Sequence, residues 1–142
     1  MFSPRSRGEK VSYEITFSVK EDVYVGTLGW EATKQAYTLK YQTVVIRGLI
    51  RKYLTACVDT VNGGEYMLLG TMNSDMCVFR HFEGKRSIYR ASVPVSTGGV
   101  HAIIANNEYV YVGAGDGWLK KLTGRDTTWD LVGECKIEGG IM

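Results

Sequence analysis

Two histidines and three cysteines are the residues of this chain best suited to metal or nucleophilic chemistry. His81 closes one β-rich stretch and His101 opens another, with no cysteine beside either at ligand spacing. Zinc sites normally draw on close pairs such as Cys-x₂₋₄-Cys, and Cys57, Cys77 and Cys135 form none. A nucleophilic cysteine needs a neighbouring base and an electropositive setting. These three instead stand inside apolar strand-like runs, where free cysteine behaves as a small buried hydrophobe. The histidines are expected to be ordinary surface or hydrogen-bonded residues, and no catalytic, cofactor or metal residue is assigned.

Gly113-Ala114-Gly115-Asp116-Gly117 has the look of a dinucleotide loop. The full fingerprint is G-x-G-x-x-G opening a helix, whereas position 118 is Trp and a β-rich run follows. A hairpin turn explains these glycines better. Basic residues cluster only in pairs, at Arg51-Lys52, Lys85-Arg86 and Lys120-Lys121 with Arg125 nearby. They can meet an acidic partner, but solvated charge that guards strand edges accounts for them better.

The elements that carry these residues must fit one ordinary domain, since the chain has 142 residues. Hydrophobic residues at 44% against 23% charged describe a globular chain rather than a disordered one. A formal charge of +2 excludes a basic nucleic-acid footprint. No apolar run approaches the roughly 20 residues of a bilayer span, and residues 1–10 lack the apolar core of a signal peptide. Three unpatterned cysteines suit a reducing compartment, so a soluble cytoplasmic protein is expected.

Seventeen glycines against two prolines point to a repeat. Asp22-Val-Tyr-Val-Gly-Thr27, Glu65-Tyr-Met-Leu-Leu-Gly-Thr71 and Glu108-Tyr-Val-Tyr-Val-Gly-Ala114 align, placing Gly26, Gly70 and Gly113 at intervals of 44 and 43 residues. A second register agrees: Gly98-Gly99-Val100 recurs 41 residues later as Gly139-Gly140-Ile141. Before each marker lies a strand-like run, at 13–17, 55–61 and 100–105. Turn residues separate the two: Lys20-Glu21-Asp22, Asn62-Gly63-Gly64 and Asn106-Asn107. A second turn, Asn73-Ser74-Asp75 or Gly115-Asp116-Gly117, leads to third strands at 35–39, 76–80 and 118–122. Fourth strands are expected at 43–47, 86–91 and 131–137. Tyr24, Tyr66, Tyr109 and Tyr111 fall at repeat-locked positions, where aromatics usually serve packing.

Four short antiparallel strands in about 43 residues match one β-propeller blade. The fold expected is therefore all-β: a partial WD40-like propeller, one domain over 1–142. Its blades would run over 11–54, 55–97 and 98–138, with 139–142 beginning a further one. Closed propellers hold about four to eight blades. Three blades leave three solutions, namely a piece of a longer propeller, a ring completed by other copies, or a closed barrel. The strand signal at the end of the chain favours the first.

The markers resemble WD40-type repeats, although the usual Gly-His and Trp-Asp dipeptides are missing from their places. Trp129-Asp130 lies about seven residues beyond the third strand and is read as coincidence. Tyr66-Met-Leu-Leu-Gly-Thr71, Val112-Gly-Ala-Gly-Asp-Gly117 and Ile137-Glu-Gly-Gly-Ile141 resemble successive blades of the cilia- and flagella-associated WD-repeat protein 52 family, also called WD-repeat protein 16. The likeness is strongest over 65–142 and weaker, in register, over 11–64. Members carry two consecutive seven-bladed propellers, so this chain would match an internal piece. The resemblance implies a non-enzymatic structural protein of motile cilia and flagella, inside the axonemal doublet microtubule, contacting tubulin and other doublet proteins. It implies no nucleic acid, membrane, small-molecule substrate or cofactor. The alternatives are a generic cytoplasmic WD-repeat adaptor, or a truncated propeller fragment without independent function. An enzyme housed in a propeller channel would need acids or metal ligands gathered on the inner strands, which the repeats lack.

Overall fold

The computed structural model describes residues 2–7, 10–49, 52–82 and 84–137. The second copy of the Gly-Gly register, Gly139-Gly140-Ile141, the expected opening of a further blade at 139–142, and Arg51 lie outside them. Among the described residues the chain is all-β, with no helix. Twelve strands form three four-stranded antiparallel sheets, a partial propeller-like fold. They belong to two compact units, the first holding one sheet and the second holding two.

The first unit carries β1 (Phe2–Arg7), β2 (Lys10–Val19), β3 (Asp22–Glu31) and β4 (Ala36–Ile46), hydrogen-bonded in chain order. Lys20 takes the left-handed conformation (φ 57°) between β2 and β3, which pair from Val19↔Asp22 onward. Phe17 stacks on Tyr24 across that pair at 5.4 Å. Here the strand expectations need correcting. The runs at 35–39 and 43–47 are one continuous strand, β4, and the fourth member of the sheet is β1. Lys40-Tyr41-Gln42 contains no Gly, Pro, Asn or Asp to turn the chain. Irregularities at Val23/Tyr24 and Thr27/Leu28 instead absorb the extra length as bulges. No apolar alternation marks β1 in the sequence, because Ser3-Pro4-Arg5-Ser6-Arg7 is proline and polar residues, as an edge strand can be.

The second unit contains β5 (Tyr53–Val61), β6 (Gly64–Thr71), β7 (Asp75–Arg80) and β8 (Ile88–Pro94) as one sheet, and β9 (Val100–Ala105), β10 (Val110–Ala114), β11 (Trp118–Arg125) and β12 (Thr128–Lys136) as the other. Both are simple meanders. Asn62 and Gly63 turn β5 into β6 with φ of 49° and 82°, the paired left-handed geometry that makes Asn-Gly the natural two-residue hairpin. The β6–β7 and β10–β11 turns each carry one left-handed residue, Ser74 (φ 72°) and Gly117 (φ 87°). They stand 43 residues apart, so the repeat seen in the sequence is repeated in the backbone.

Period-two alternation sorts each strand into two faces. On β6, Tyr66, Leu68 and Gly70 share a face with Cys57, Val78 and Met76 on the neighbouring strands. That face meets Val100, Ile103, Val110, Val112 and Leu122 of the third sheet in one continuous core, with Trp129 packed at its edge. The first strands of the two sheets, β5 and β9, lie against one another there. Nested stacking of this kind is how each repeat buries a face it cannot bury alone.

Candidate functional site: the interface between the second and third sheets

The marker glycine is what lets the two sheets approach. A Cβ built on Gly70 would stand 2.5 Å from Val100 Cγ1, 2.8 Å from Thr55 Cγ2 and 2.9 Å from the Val100 carbonyl oxygen. Real side chains do not tolerate such distances, so only glycine allows β9 to cross β6 at this depth.

Polar groups latch the stack at both ends. At one end, Asn62 N–H donates to the Asn107 carbonyl at 2.8 Å, and its side-chain amide donates to Gly124 O at 2.9 Å and to Thr123 Oγ1 at 3.1 Å. Beside it, the Asp126 N–H donates to the buried Tyr66 hydroxyl at 2.9 Å. Arg80 donates to Asp126 Oδ1 at 3.2 Å and lies over the Tyr66 ring at 5.3 Å. Arg90 Nε sits 3.4 Å from the same oxygen, at ion-pair range without hydrogen-bond alignment. Trp129 meets Tyr66 edge-on at 5.6 Å and donates its indole N–H to Asp126 O at 2.8 Å. These ion pairs are part-exposed, so each contributes under about 1 kcal/mol, and packing on Tyr66 dominates this end.

At the other end Asp116 holds the crossover from β8 to β9. Its carboxylate accepts from Thr97 N at 3.1 Å, Thr97 Oγ1 at 3.3 Å and Trp118 N at 3.1 Å. Gly115 N donates to Gly99 O at 2.9 Å. Partial burial works against the Asp116 charge, but the Thr97 and Trp118 N–H groups, the Thr97 hydroxyl and Lys120 outweigh it and hold its pKa below the usual range. The stabilisation is therefore complete above the ordinary carboxylate pKa and is lost as the pH falls through Asp116's own lowered value. We expect the Thr97 amide resonance to titrate only below the ordinary carboxylate range. In Asp116→Asn that acid step should vanish.

The chemically capable residues are dispersed. His81 is buried at the end of β7, where its backbone N–H donates to Glu65 O at 2.9 Å and its ring Nδ1 has no hydrogen-bond partner, whereas His101 is exposed on β9. Among the described residues no group of three or more His, Cys, Asp or Glu could hold a metal ion. Cys57 and Cys77 are buried, but Cys135 is exposed on β12, which corrects the expectation that all three are buried hydrophobes. The outer face of the third sheet, on which Cys135 lies with Leu119, is open to solvent.

Burial pushes the Cys57 thiol up to about 11, with Asp59 adding to the shift and a hydrogen bond with the Ala105 backbone opposing it. At about pH 8 its thiolate fraction is lowered about a hundredfold against an ordinary cysteine, so thiol reagents should modify Cys135 and spare Cys57 until unfolding. The raised pKa also means that the folded state holds a proton the unfolded chain has released. Stability should therefore fall as the pH rises from the usual thiol value of 9.0 to about 11, by on the order of 2 kcal/mol, and Cys57→Ser should abolish that alkaline step.

Gly113 to Gly117 do form the hairpin between β10 and β11, with Gly117 N donating to Ala114 O at 3.1 Å. Lys120 and Lys121 point to opposite faces of β11, and Lys121 Nζ stands 3.9 Å above the Tyr109 ring, so the pair makes no basic patch. Of the repeat-locked tyrosines, Tyr66 is fully buried while Tyr111 is 37% exposed. Trp129 is the aromatic partner of Tyr66, a contact that the place of the Trp-Asp dipeptide in the repeat does not reveal. No sequence signal links Arg80 or Tyr66 to Asp126, because the contact joins residues 46 and 60 positions apart.

No family model matches the chain, and no curated protein matches it at a significant level.

Proposed function

We propose that this chain is a non-enzymatic structural element, a propeller-type scaffold of WD-repeat character acting in the axonemal doublet microtubule of motile cilia and flagella. The observation that carries the scaffold reading is the Gly70 crossing, where one four-stranded repeat seats on the next with a shared core. A build that spends its buried surface on repeat-to-repeat contact is suited to bearing contacts along its length. The non-enzymatic part rests on where these residues lie: His81, Cys57 and Cys77 are buried, whereas His101 is exposed on β9 and Cys135 on β12.

The ciliary part rests on the likeness of residues 66–71, 112–117 and 137–141 to the cilia- and flagella-associated WD-repeat protein 52 family. Tubulin and neighbouring doublet proteins are the partners it implies. The test is fractionation of cilia from the cells that make the protein, probed with an antibody to residues 65–80. A salt-resistant signal in the doublet fraction is the expected result. A signal confined to the soluble cytoplasm and absent from axonemes would overturn it.

A second reading, a cytoplasmic WD-repeat adaptor, is favoured by the exposed Ile104, Tyr111 and Leu119 on one face of the third sheet. Affinity capture dominated by signalling or trafficking complexes, without tubulin, would select it.

A further inference from the structure

Three arginines from distant parts of the chain converge on one carboxylate. Arg80 ends β7, Arg90 lies on β8 and Arg125 ends β11. Arg80 Nη1 stands 3.2 Å and Arg90 Nε 3.4 Å from Asp126 Oδ1, and Arg125 Nε stands 4.0 Å from Asp126 Oδ2. Among the described residues, Asp126 is the one acid in ion-pair range of any of them. Three guanidinium charges against one carboxylate leave two positive charges in excess.

The hydrogen-bond supply is equally lopsided. A guanidinium offers five N–H donors, whereas a carboxylate accepts about four bonds in all. Asp126 takes one aligned bond from Arg80, and Arg90 Nε is buried without an aligned partner. The fold holds this imbalance in place. Arg90 is the extra residue of the bulge opposite Val78-Phe79, a device that re-aims a side chain, and it reaches the same oxygen as Arg80. Asp126 is fixed in the β11–β12 turn at φ 52°, its N–H bonded to the Tyr66 hydroxyl and its carbonyl to the Trp129 indole. One arginine would neutralise Asp126, so the other two are surplus to the latch. The three side chains are 26%, 37% and 61% exposed, which leaves them within reach of a ligand from solvent.

We propose that Arg80, Arg90 and Arg125 form a binding site for a phosphate dianion, with Asp126 as the fixed post that gathers them. Two features choose this ligand class. A phosphate monoester carries close to two negative charges at neutral pH, which equals the excess, whereas a phosphodiester or a carboxylate carries one. Its oxygens also accept the paired N–H groups of a guanidinium, and arginine keeps its charge at any working pH. A phosphorylated side chain of a partner protein and free phosphate present the same chemistry, and the test separates them. The inference rests on the charges around Asp126 and is independent of the ciliary assignment, which fractionation tests by itself.

The experiment is a titration of the full chain at about pH 7.5, where a phosphate monoester is a dianion. Nitrogen–proton NMR follows the Arg90 Nε–H and the Trp129 indole N–H. The probes are N-acetyl-O-phosphoserine methylamide and inorganic phosphate, with the unphosphorylated serine compound as blank. Both signals are expected to move saturably with the phosphorylated probe and to stay in place with the blank. Arg90→Gln and Arg125→Gln should each weaken binding about tenfold, read at Trp129. Asp126→Asn should instead tighten it at least about threefold, because the internal competitor for the guanidinium groups loses its charge. Asparagine tolerates the left-handed turn, so that variant keeps the fold. Saturation by the phosphoserine compound at lower concentration than by inorganic phosphate would assign the site to a partner's side chain. Saturation by inorganic phosphate alone would assign it to the free ion. No saturable shift with either probe would overturn the proposal, as would affinities unchanged in both glutamine variants.

Discussion

Gly70→Val is expected to lower the thermal unfolding midpoint by about 10 °C, the equivalent of about 3 kcal/mol in a chain of this size. The smallest side chain already fails at this position. The added Cβ would lie 2.5 Å from Val100 Cγ1 and 2.9 Å from the Val100 carbonyl, and a carbonyl in a paired strand cannot swing aside as a side-chain tip can. Relief therefore requires β9 to lift from β6, which exposes the shared core of the second unit. Thermal unfolding followed by circular dichroism measures the effect. A midpoint within about 2 °C of the parent would mean that the sheets do not cross as described.

Tyr66 should show the next largest effect, and its two substitutions should differ in kind. Tyr66→Ala removes a fully buried ring that touches Trp129 edge-on and lies beneath Arg80, at a cost of about 4 kcal/mol. Tyr66→Phe keeps the ring and removes only the hydroxyl that accepts the Asp126 N–H. That amide is part-buried and loses its acceptor, so the cost should be about 1 kcal/mol. Denaturant titrations of both variants separate packing from hydrogen bonding at this end of the stack. Equal losses would mean that the Tyr66 ring contributes nothing beyond its hydroxyl.

Local chemistry explains which parts of this architecture could be read from the sequence. The first strand of the third sheet, Val100–Ala105, was bounded correctly because an Asn-Asn turn follows it and a Gly-Gly pair precedes it. The Asn62-Gly63 and Gly115-Asp116-Gly117 turns were legible for the same reason, since their backbone conformations are encoded by the turn residues themselves. The first unit was harder. Its strand β4 crosses a point where the repeat calls for a turn, but no residue there makes one, and two bulges carry the strand through.

The latches were invisible for a different reason. Asp126 meets Tyr66, Arg80 and Arg90 only because two sheets stack, and nothing in the sequence near Asp126 records that. The strand of Cys135 alternates like a covered one, whereas its exposure depends on what lies over the sheet. As a family marker Trp129-Asp130 stands in the wrong place, and its position says nothing of the packing of the Trp129 ring on Tyr66. Its role follows instead from β12 starting at Thr128, three residues before the expected strand.

The central claim is that the third sheet seats on the second through Gly70, and a double-mutant cycle between Gly70→Ala and Val100→Ala tests it most directly. Removing the Val100 methyls takes away the nearest of the three contacts that a Cβ at position 70 would make. Gly70→Ala should therefore cost at least about 1 kcal/mol less in the Val100→Ala background than in the parent chain, a coupling typical of residues in direct contact. Additive losses, within about 0.3 kcal/mol, would show that the two residues act independently and would contradict the stacked arrangement.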